Sequence, residues 1–434
     1  MDSPSNGIKL NDKRTINAWA MFDWANSSYA LVIAVAIFPL YFNSEGVMPD
    51  GVFHFMGIPV TKTSLFSYSL TFAYIIIAAA LPILSGIADY GGKKMFFMKF
   101  FTAMGSIACI SLVFFTSDNI ALGVFGFVIA TVGFAGGQIF YNSFLPLIAS
   151  EDKLDKVSAK GFAYGYIGSV LLLIVILVMI QKHEWFGFAS EEWPVRMSFV
   201  MVGLWWMGFA QITFNRLPKD NKQKLSSEIL SKGFQELQKV WRIVKHQKNI
   251  KRFLFSFFFY SAGVQTVLYL ASTFATDELK FGATDLILLI LILQLVAIGG
   301  AFLFAALSNW KGNKISIITM LSIWIAICVL AYLVKDKNQF FMIAALVGMV
   351  MGGIQSVSRS TYSKLIPPDT KDTASFFSFY DVLEKVAIVL GTFTFGFIDQ
   401  MMGGMRNSIL ALIVYFVIGL LAIFTVEVKP AKIA

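Results

Sequence analysis

The sequence predicts an all-α integral membrane fold, with 12 transmembrane helices in two pseudo-symmetric six-helix halves. Three observations predict it. The residues are 57% hydrophobic and only 14% charged, where a soluble domain carries about a quarter charged residues. Apolar runs of the roughly 20 residues needed to cross a bilayer recur along the chain. The two halves of the chain also repeat short patterns at one fixed offset.

The spans are predicted at 16–42, 64–88, 95–116, 119–147, 157–180, 197–216, 252–276, 284–308, 314–334, 339–366, 373–399 and 406–426. Several exceed the minimum length, so tilt or extension beyond the bilayer is expected. The first run is longer than a signal-peptide core, contains Asp23, and has no small-residue cleavage pattern after it, so it is expected to remain as span one.

An even number of spans puts both termini on one side, and Lys and Arg decide which. With cytoplasmic termini, only Lys62, Lys182, Arg196, Lys280, Lys335, Lys337 and Arg406 lie outside, and Arg359 and Lys385 fall within spans. The rest of the 35 Lys and Arg are then inside. This is the expected orientation, in a bacterial inner (plasma) membrane.

The expected organisation is a six-helix half at 1–216, a basic linker at 217–251 and a second half at 252–434. Within the linker, Leu230, Phe234, Leu237 and Trp241 recur at helical spacing among Lys and Arg. That pattern suits a basic amphipathic helix on the inner leaflet, with anionic lipids as partners. A solvated connector is compatible with the same residues. The net charge of +9 follows from the positive-inside bias, so no nucleic-acid role is expected.

The repeat is carried by pairs 221 residues apart: Gly91 with Gly312, Lys93 with Lys314, Tyr141 with Tyr362, Pro146 with Pro367. Gln138 and Arg359 share that offset. Repeated halves are the usual build of secondary transporters, with a substrate site near the midplane. In the turn after span two, Asp89, Gly92, Lys93 and Lys94 form a candidate inner gate. Glycine allows a tight turn, and Asp89 can cap a helix or pair with a lysine. A plain polar turn would use the same residues.

Charges inside spans are costly and by default mark function or a partner. Asp23, Arg359 and Asp381 lie about eight residues, or roughly 12 Å, from the predicted inner ends of their helices, and Glu384 and Lys385 lie deeper. Asp23, Asn26, Ser27 and Ala30 share one helix face at i, i+3, i+4 and i+7, which suits a wall facing protein or a cavity. Snorkelling of Asp23 to the surface is the alternative. Gln138 with Asn142, and Gln355 with Arg359, form i, i+4 polar pairs. Span seven adds Gln265, and span eleven adds Tyr380 beside Asp381, Glu384 and Lys385. The candidate substrate-binding set is therefore Asp23, Asn26, Ser27, Gln138, Asn142, Gln265, Gln355, Arg359 and Tyr380. The candidate charge or proton-coupling network is Asp23, Asp381, Glu384 and Lys385. Mutually paired ions that fix helix packing would account for the same charges. Gly161, Gly165 and Gly168 share a face of span five and suit close helix packing.

Cys109 and Cys328 are far apart in apolar runs, and His54, His183 and His246 fall in loops. No metal-ligand spacing occurs, so no metal and no cofactor are expected. No nucleophile–base set or phosphate loop points to an enzyme.

Residues 89–94 resemble the inner-loop motif of the major facilitator superfamily through Asp89, Gly92, Lys93 and Lys94, with Ser85 and Tyr90 at motif positions usually held by Gly and a basic residue. "FDWANSSY…FPLYF", "YNSFLPLIA" with "SAKGFAYGYIGS", and "GGIQSVSRSTYSKLIP…FFSFYDVLEK" resemble its vacuole-effluxer-like branch, related to the fungal autophagy-associated vacuolar exporter of amino acids. The resemblance covers nearly the whole chain. It implies a major facilitator fold and export of amino acids. The expected function is secondary active transport of a small polar or zwitterionic solute by rocker-switch alternating access, with protons as a candidate coupling ion and a monomer as the working unit. Two alternatives are a transporter of peptides or other organic ions, and a non-transporting receptor or scaffold of the same fold.

Overall fold

In hydrocarbon every backbone N–H and C=O must be satisfied within the protein, so long apolar segments become helices. A computed structural model describes residues 9–42, 52–55, 58–220, 227–368, 370–402 and 404–427. The termini, whose side of the membrane the Lys and Arg count predicts, extend at 1–8 and 428–434 beyond the described residues, as do linker residues 221–226.

Span one is α-helical over Lys13–Ser28, π-helical over Tyr29–Ile37 and α-helical again over Phe38–Phe42. Spans two to six follow at Lys62–Gly91, Lys94–Ser111, Ile120–Ile148, Leu154–Gln181 and Glu192–Arg216. The linker forms a helix at Ser227–His246, and spans seven to twelve occupy Lys248–Leu279, Ala283–Lys311, Asn313–Leu333, Lys337–Leu365, Thr373–Met402 and Met405–Phe424. Eleven of these are long and apolar enough to cross a membrane by composition. The twelfth, Thr373–Met402, is 30 residues long but carries Asp381, Glu384 and Lys385. An antiparallel hairpin, Val52–Phe55 with Ile58–Thr61, lies between spans one and two. The sequence reading contained no strand.

Local chemistry sets the ends of the helices. Gly92 takes φ +60° after span two, and Gly312 takes φ +91° between spans eight and nine. These left-handed values are cheap only for glycine. The repeat pairs Gly91 with Gly312, yet the left-handed residue of the first turn is Gly92, one position later. Asp336 caps span ten by accepting the Gln339 N–H at 2.9 Å, satisfying an amide that has no partner in the first turn. Asp220, just after span six, performs the same task at a distance: its two oxygens accept the N–H groups of Met95 (2.8 Å) and Phe96 (2.7 Å) at the start of span three. Burial pushes the Asp220 carboxyl up from its usual value, against the pull of those two amides.

The described chain resolves into two compact units. One holds 13–142 and 167–234; the other holds 9–12, 143–166 and the chain from 235 onward. Spans four and five each contribute to both. In the first unit, spans three, four and six meet through small residues: a Cβ on Gly133 would lie 2.6 Å from Gly105 Cα, and Trp206 covers Gly105. In the second, spans eight and ten touch backbone to backbone, with Gly300 against the Met349 carbonyl and Gly352 against the Ala297 carbonyl. Where lipid is as apolar as the side chains, such close packing replaces hydrophobic burial as the driving force between helices.

Candidate functional site

The first unit buries Asp23 at 1% exposure. Tyr141 of span four donates its hydroxyl to Asp23 Oδ2 at 2.7 Å. The tyrosine is fixed from both sides. Trp19 stacks on it with ring centroids 4.4 Å apart, and Phe22 at 5.0 Å. Trp19 Nε1 also donates to the Tyr141 carbonyl at 3.0 Å. One turn beyond Asp23, Asn26 is fully buried, and neither atom of its amide has a hydrogen-bond partner. Gln138 Oε1 is likewise buried without one. A buried amide left unbonded costs about 1–3 kcal/mol, so these three atoms mark places a ligand or water can satisfy. Ser27 and Asn142 are half-buried. The π-helical stretch begins at Tyr29, three residues after Asn26, and such departures from α geometry are frequent at functional sites.

Trp24, next to Asp23, stacks on Trp205 of span six, which donates to the Trp24 carbonyl at 3.2 Å. Gly168 of span five lies against the same carbonyl, where a Cβ would sit 2.7 Å away. This is the close helix packing its spacing suggests.

The turn after span two holds an ion pair, Lys94 Nζ to Asp89 Oδ1 at 3.0 Å, with the Asp89 side chain fully buried. Gly92 N–H and Lys93 N–H close the helix end onto the Asp89 and Ala88 carbonyls at 3.4 and 2.8 Å.

In the second unit, Gln265 Nε2 donates to Glu384 Oε1 at 3.1 Å. Lys385 Nζ lies 2.9 Å from Glu384 Oε2 and 3.4 Å from Asp381 Oδ1. Asp381 Oδ2 is buried with no hydrogen-bond partner. Two carboxylates and one ammonium thus share the middle of span eleven. Tyr380 stacks on Phe257 at 4.0 Å and on Tyr362 at 5.1 Å, so its ring fills the packing between spans seven, ten and eleven. Tyr260 and Ser358 join hydroxyl to hydroxyl at 2.7 Å. Gln355 Oε1 accepts the Tyr166 hydroxyl at 2.7 Å.

Arg359 is 3% exposed. Its Nε donates to Ser158 Oγ at 3.0 Å, its Nη2 to the Ser158 carbonyl at 2.8 Å, and its guanidinium covers the Phe162 ring at 4.1 Å. By sign of charge, Arg359 and Lys385 are the counter-charges the sequence offers Asp23. Within their own units, Tyr141 bonds Asp23, Ser158 and the Phe162 ring hold Arg359, and Glu384 and Asp381 flank Lys385.

One densely bonded carboxylate of this unit was not a sequence candidate. Asp155, 1% exposed at the start of span five, accepts four donors. Asn313 Nδ2 (2.8 Å) and Ser360 Oγ (2.6 Å) reach Oδ1, and Lys364 Nζ (2.6 Å) and Ser308 Oγ (3.2 Å) reach Oδ2. Lys364 also donates to Asn313 Oδ1 at 2.8 Å. Spans five, eight, nine and ten are thereby held at one point. The signal available in the sequence was the density of hydroxyls from Ser356 to Ser363, which exceeds what a lipid-facing helix needs.

A partly open pocket of about 50 Å³ lies among Val267, Phe274, Cys328, Phe340, Val347 and Leu412. Its lining is apolar, which does not suit a polar solute. Among the described residues no cluster of His, Cys, Asp and Glu could hold a metal.

Among the described residues, twelve long helices, several with charges held inside them, mark a multi-pass membrane protein, and comparison with known proteins shows a transporter. The E. coli fucose:proton symporter superposes with a TM-score of 0.67 at 12% identity, covering 96% of this chain and 98% of that one, which shows the major facilitator fold. Residues 11–434 match the family described as "Vacuole effluxer Atg22 like", and the chain belongs to that family. An uncharacterized MFS-type transporter, YxiO, from Bacillus subtilis is 29% identical over 410 residues, covering 93% of this chain and 92% of that one. Autophagy-related protein 22-2 from Aspergillus niger is 24% identical over 487 residues, covering 91% and 80%. The protein is a transporter rather than an enzyme.

Proposed function

We propose that the protein exports a zwitterionic solute, an amino acid, by secondary active transport with alternating access and proton coupling. The observation that carries this reading is the Gln265–Glu384–Lys385–Asp381 cluster. It holds both signs of charge and a neutral amide inside the membrane, and one oxygen, Asp381 Oδ2, has no partner. An α-ammonium can replace Lys385 on a carboxylate, and an α-carboxylate can take Lys385. Glu384 and Asp23 are the proton candidates. Asn26 and Gln138 supply unbonded amide atoms, with Ser27, Asn142, Gln355, Arg359 and Tyr380 in supporting positions and Asp89, Gly92, Lys93 and Lys94 as the gate. The effluxer description of the family supports the outward direction. We place both termini in the cytoplasm and the protein, as a monomer, in a bacterial inner membrane.

A thermal-shift screen of the purified protein against amino acids, small peptides and nucleosides tests the solute class. A ligand at about 100 times its Kd stabilises by about 2.7 kcal/mol. Amino acids should raise the melting temperature, and Glu384→Gln should abolish the rise. Stabilisation by nucleosides alone, or an unchanged response in the variant, would overturn the assignment.

A further inference from the structure

The linker helix Ser227–His246 has an apolar face wider than the protein covers. Val240 and Val244 are buried with Gly233, and they define the side that packs against the protein. At about 100° per residue, Trp241 and Phe234 fall on the next flank, with Lys245 beside them and Arg242 just beyond. The two aromatic side chains are 53% and 49% exposed. Trp241 only partly leans on the protein, its ring 5.5 Å from that of Phe379 in span eleven.

Position and charge decide what covers this flank. The helix ends at His246 and span seven begins at Lys248, so Trp241 lies within two turns of a membrane boundary. Aromatic side chains with one polar edge concentrate at that level. Lys239 of this helix pairs with Glu236 at 2.9 Å and with Asp372 at 3.0 Å. Arg242 and Lys245 are exposed and, among the described residues, pair with no carboxylate. Two exposed aromatic rings beside two unpaired cations fit the acyl region and headgroups of an anionic phospholipid. They do not fit water, which would leave the rings solvated, or an apolar protein face, which would bury the cations.

We propose that the Phe234–Trp241 flank inserts into the adjoining leaflet and that Arg242 and Lys245 bind anionic phospholipid headgroups there. The Lys239–Asp372 pair then ties the lipid-bound helix to the start of span eleven, the helix that carries Asp381, Glu384 and Lys385. The proposal rests on the chain being a membrane protein, and holds whatever the solute.

Reconstitution of the full chain into vesicles containing either brominated phosphatidylglycerol or brominated phosphatidylcholine tests it. The Trp241 contribution to fluorescence is obtained by difference from Trp241→Phe. Each cation near an anionic surface raises local lipid occupancy about fivefold, so quenching by the brominated phosphatidylglycerol should exceed that by the brominated phosphatidylcholine at least about twofold. The excess should vanish in the Arg242→Gln, Lys245→Gln double variant. A fluorophore at Phe234→Cys, sensitive to polarity, gives a second reading that does not require Trp241 to be changed, since Cys109 and Cys328 are both buried. Its emission should shift to the blue on adding phosphatidylglycerol. No Trp241 quenching by either lipid, or equal quenching by both, would overturn the proposal, as would an unshifted fluorophore.

Discussion

Asp155 and Lys364 stand 2.6 Å apart, and the Asp155 side chain is fully buried. Asn313 bridges the pair by donating to one and accepting from the other. A buried charge that loses its partner costs about 3–5 kcal/mol. Asp155→Ala should therefore lower the melting temperature of the purified protein sharply, and Asp155→Asn combined with Lys364→Met should recover much of the loss. A double variant as unstable as the single one would show that the hydroxyl and amide donors, rather than the ion pair, hold this point.

The Tyr141–Asp23 contact is a hydrogen bond to a buried carboxylate, a class worth about 1.5–3 kcal/mol. Tyr141→Phe should destabilise by that amount, measured by thermal unfolding in detergent, while leaving membrane insertion intact. Asp23→Asn keeps an acceptor for the tyrosine and removes the charge. It should fold, and it should alter the pH dependence of transport. A variant that folds and transports with an unchanged pH profile would remove Asp23 from the proton candidates.

Spans eight and ten touch where Gly352 meets the Ala297 carbonyl. Backbone cannot yield as a side-chain tip does, so overpacking there costs about 1–3 kcal/mol or more. Gly352→Val should reduce folded yield and melting temperature. Valine at Gly396, which has open space around it, should pack without that clash.

Asp220→Ala should cost about 1 kcal/mol by leaving the Met95 and Phe96 amides uncapped. The sign of its pH dependence follows from burial. The folded pKa of Asp220 lies above its unfolded value, so the folded state holds the proton more tightly. This stabilising contribution is complete below the unfolded value of about 3.9 and is lost as pH rises through the folded value. Unfolding curves of the wild type against Asp220→Asn should show the wild-type advantage growing as pH falls toward about 4.

The twelve helices were legible because a bilayer demands long apolar runs, and even the three charges of span eleven did not hide it. The left-handed glycines after spans two and eight were legible as turns. The π-helical stretch at Tyr29–Ile37 was not, since it arises from packing and leaves no period in the sequence. The hairpin at 52–61 was missed because eight strand residues in a loop give too short a pattern. Partners were the hardest to read. Asp23 bonds a tyrosine 118 positions away, and Asp155 gathers donors 153 to 209 positions away. Charge suggested Arg359 and Lys385 for Asp23, but no spacing in the sequence announced the neighbours within their own unit: Ser158 and Phe162 for Arg359, Asp381 and Glu384 for Lys385. The 221-residue repeat did single out Tyr141 and Tyr362. Both are fully buried and stacked against aromatic rings, Tyr141 on Trp19 of span one and Tyr362 on Phe253 of span seven.

The central claim is that the span-eleven cluster handles a zwitterionic solute. Counterflow of radiolabelled amino acids into proteoliposomes, run with and without a pH gradient, tests it most directly. The wild type should exchange at least one amino acid and respond to the gradient. Glu384→Gln should lose the response to the gradient, and Lys385→Met should lose exchange while retaining its fold. Absence of amino-acid flux in the wild type, or full activity and pH response in both variants, would contradict the account.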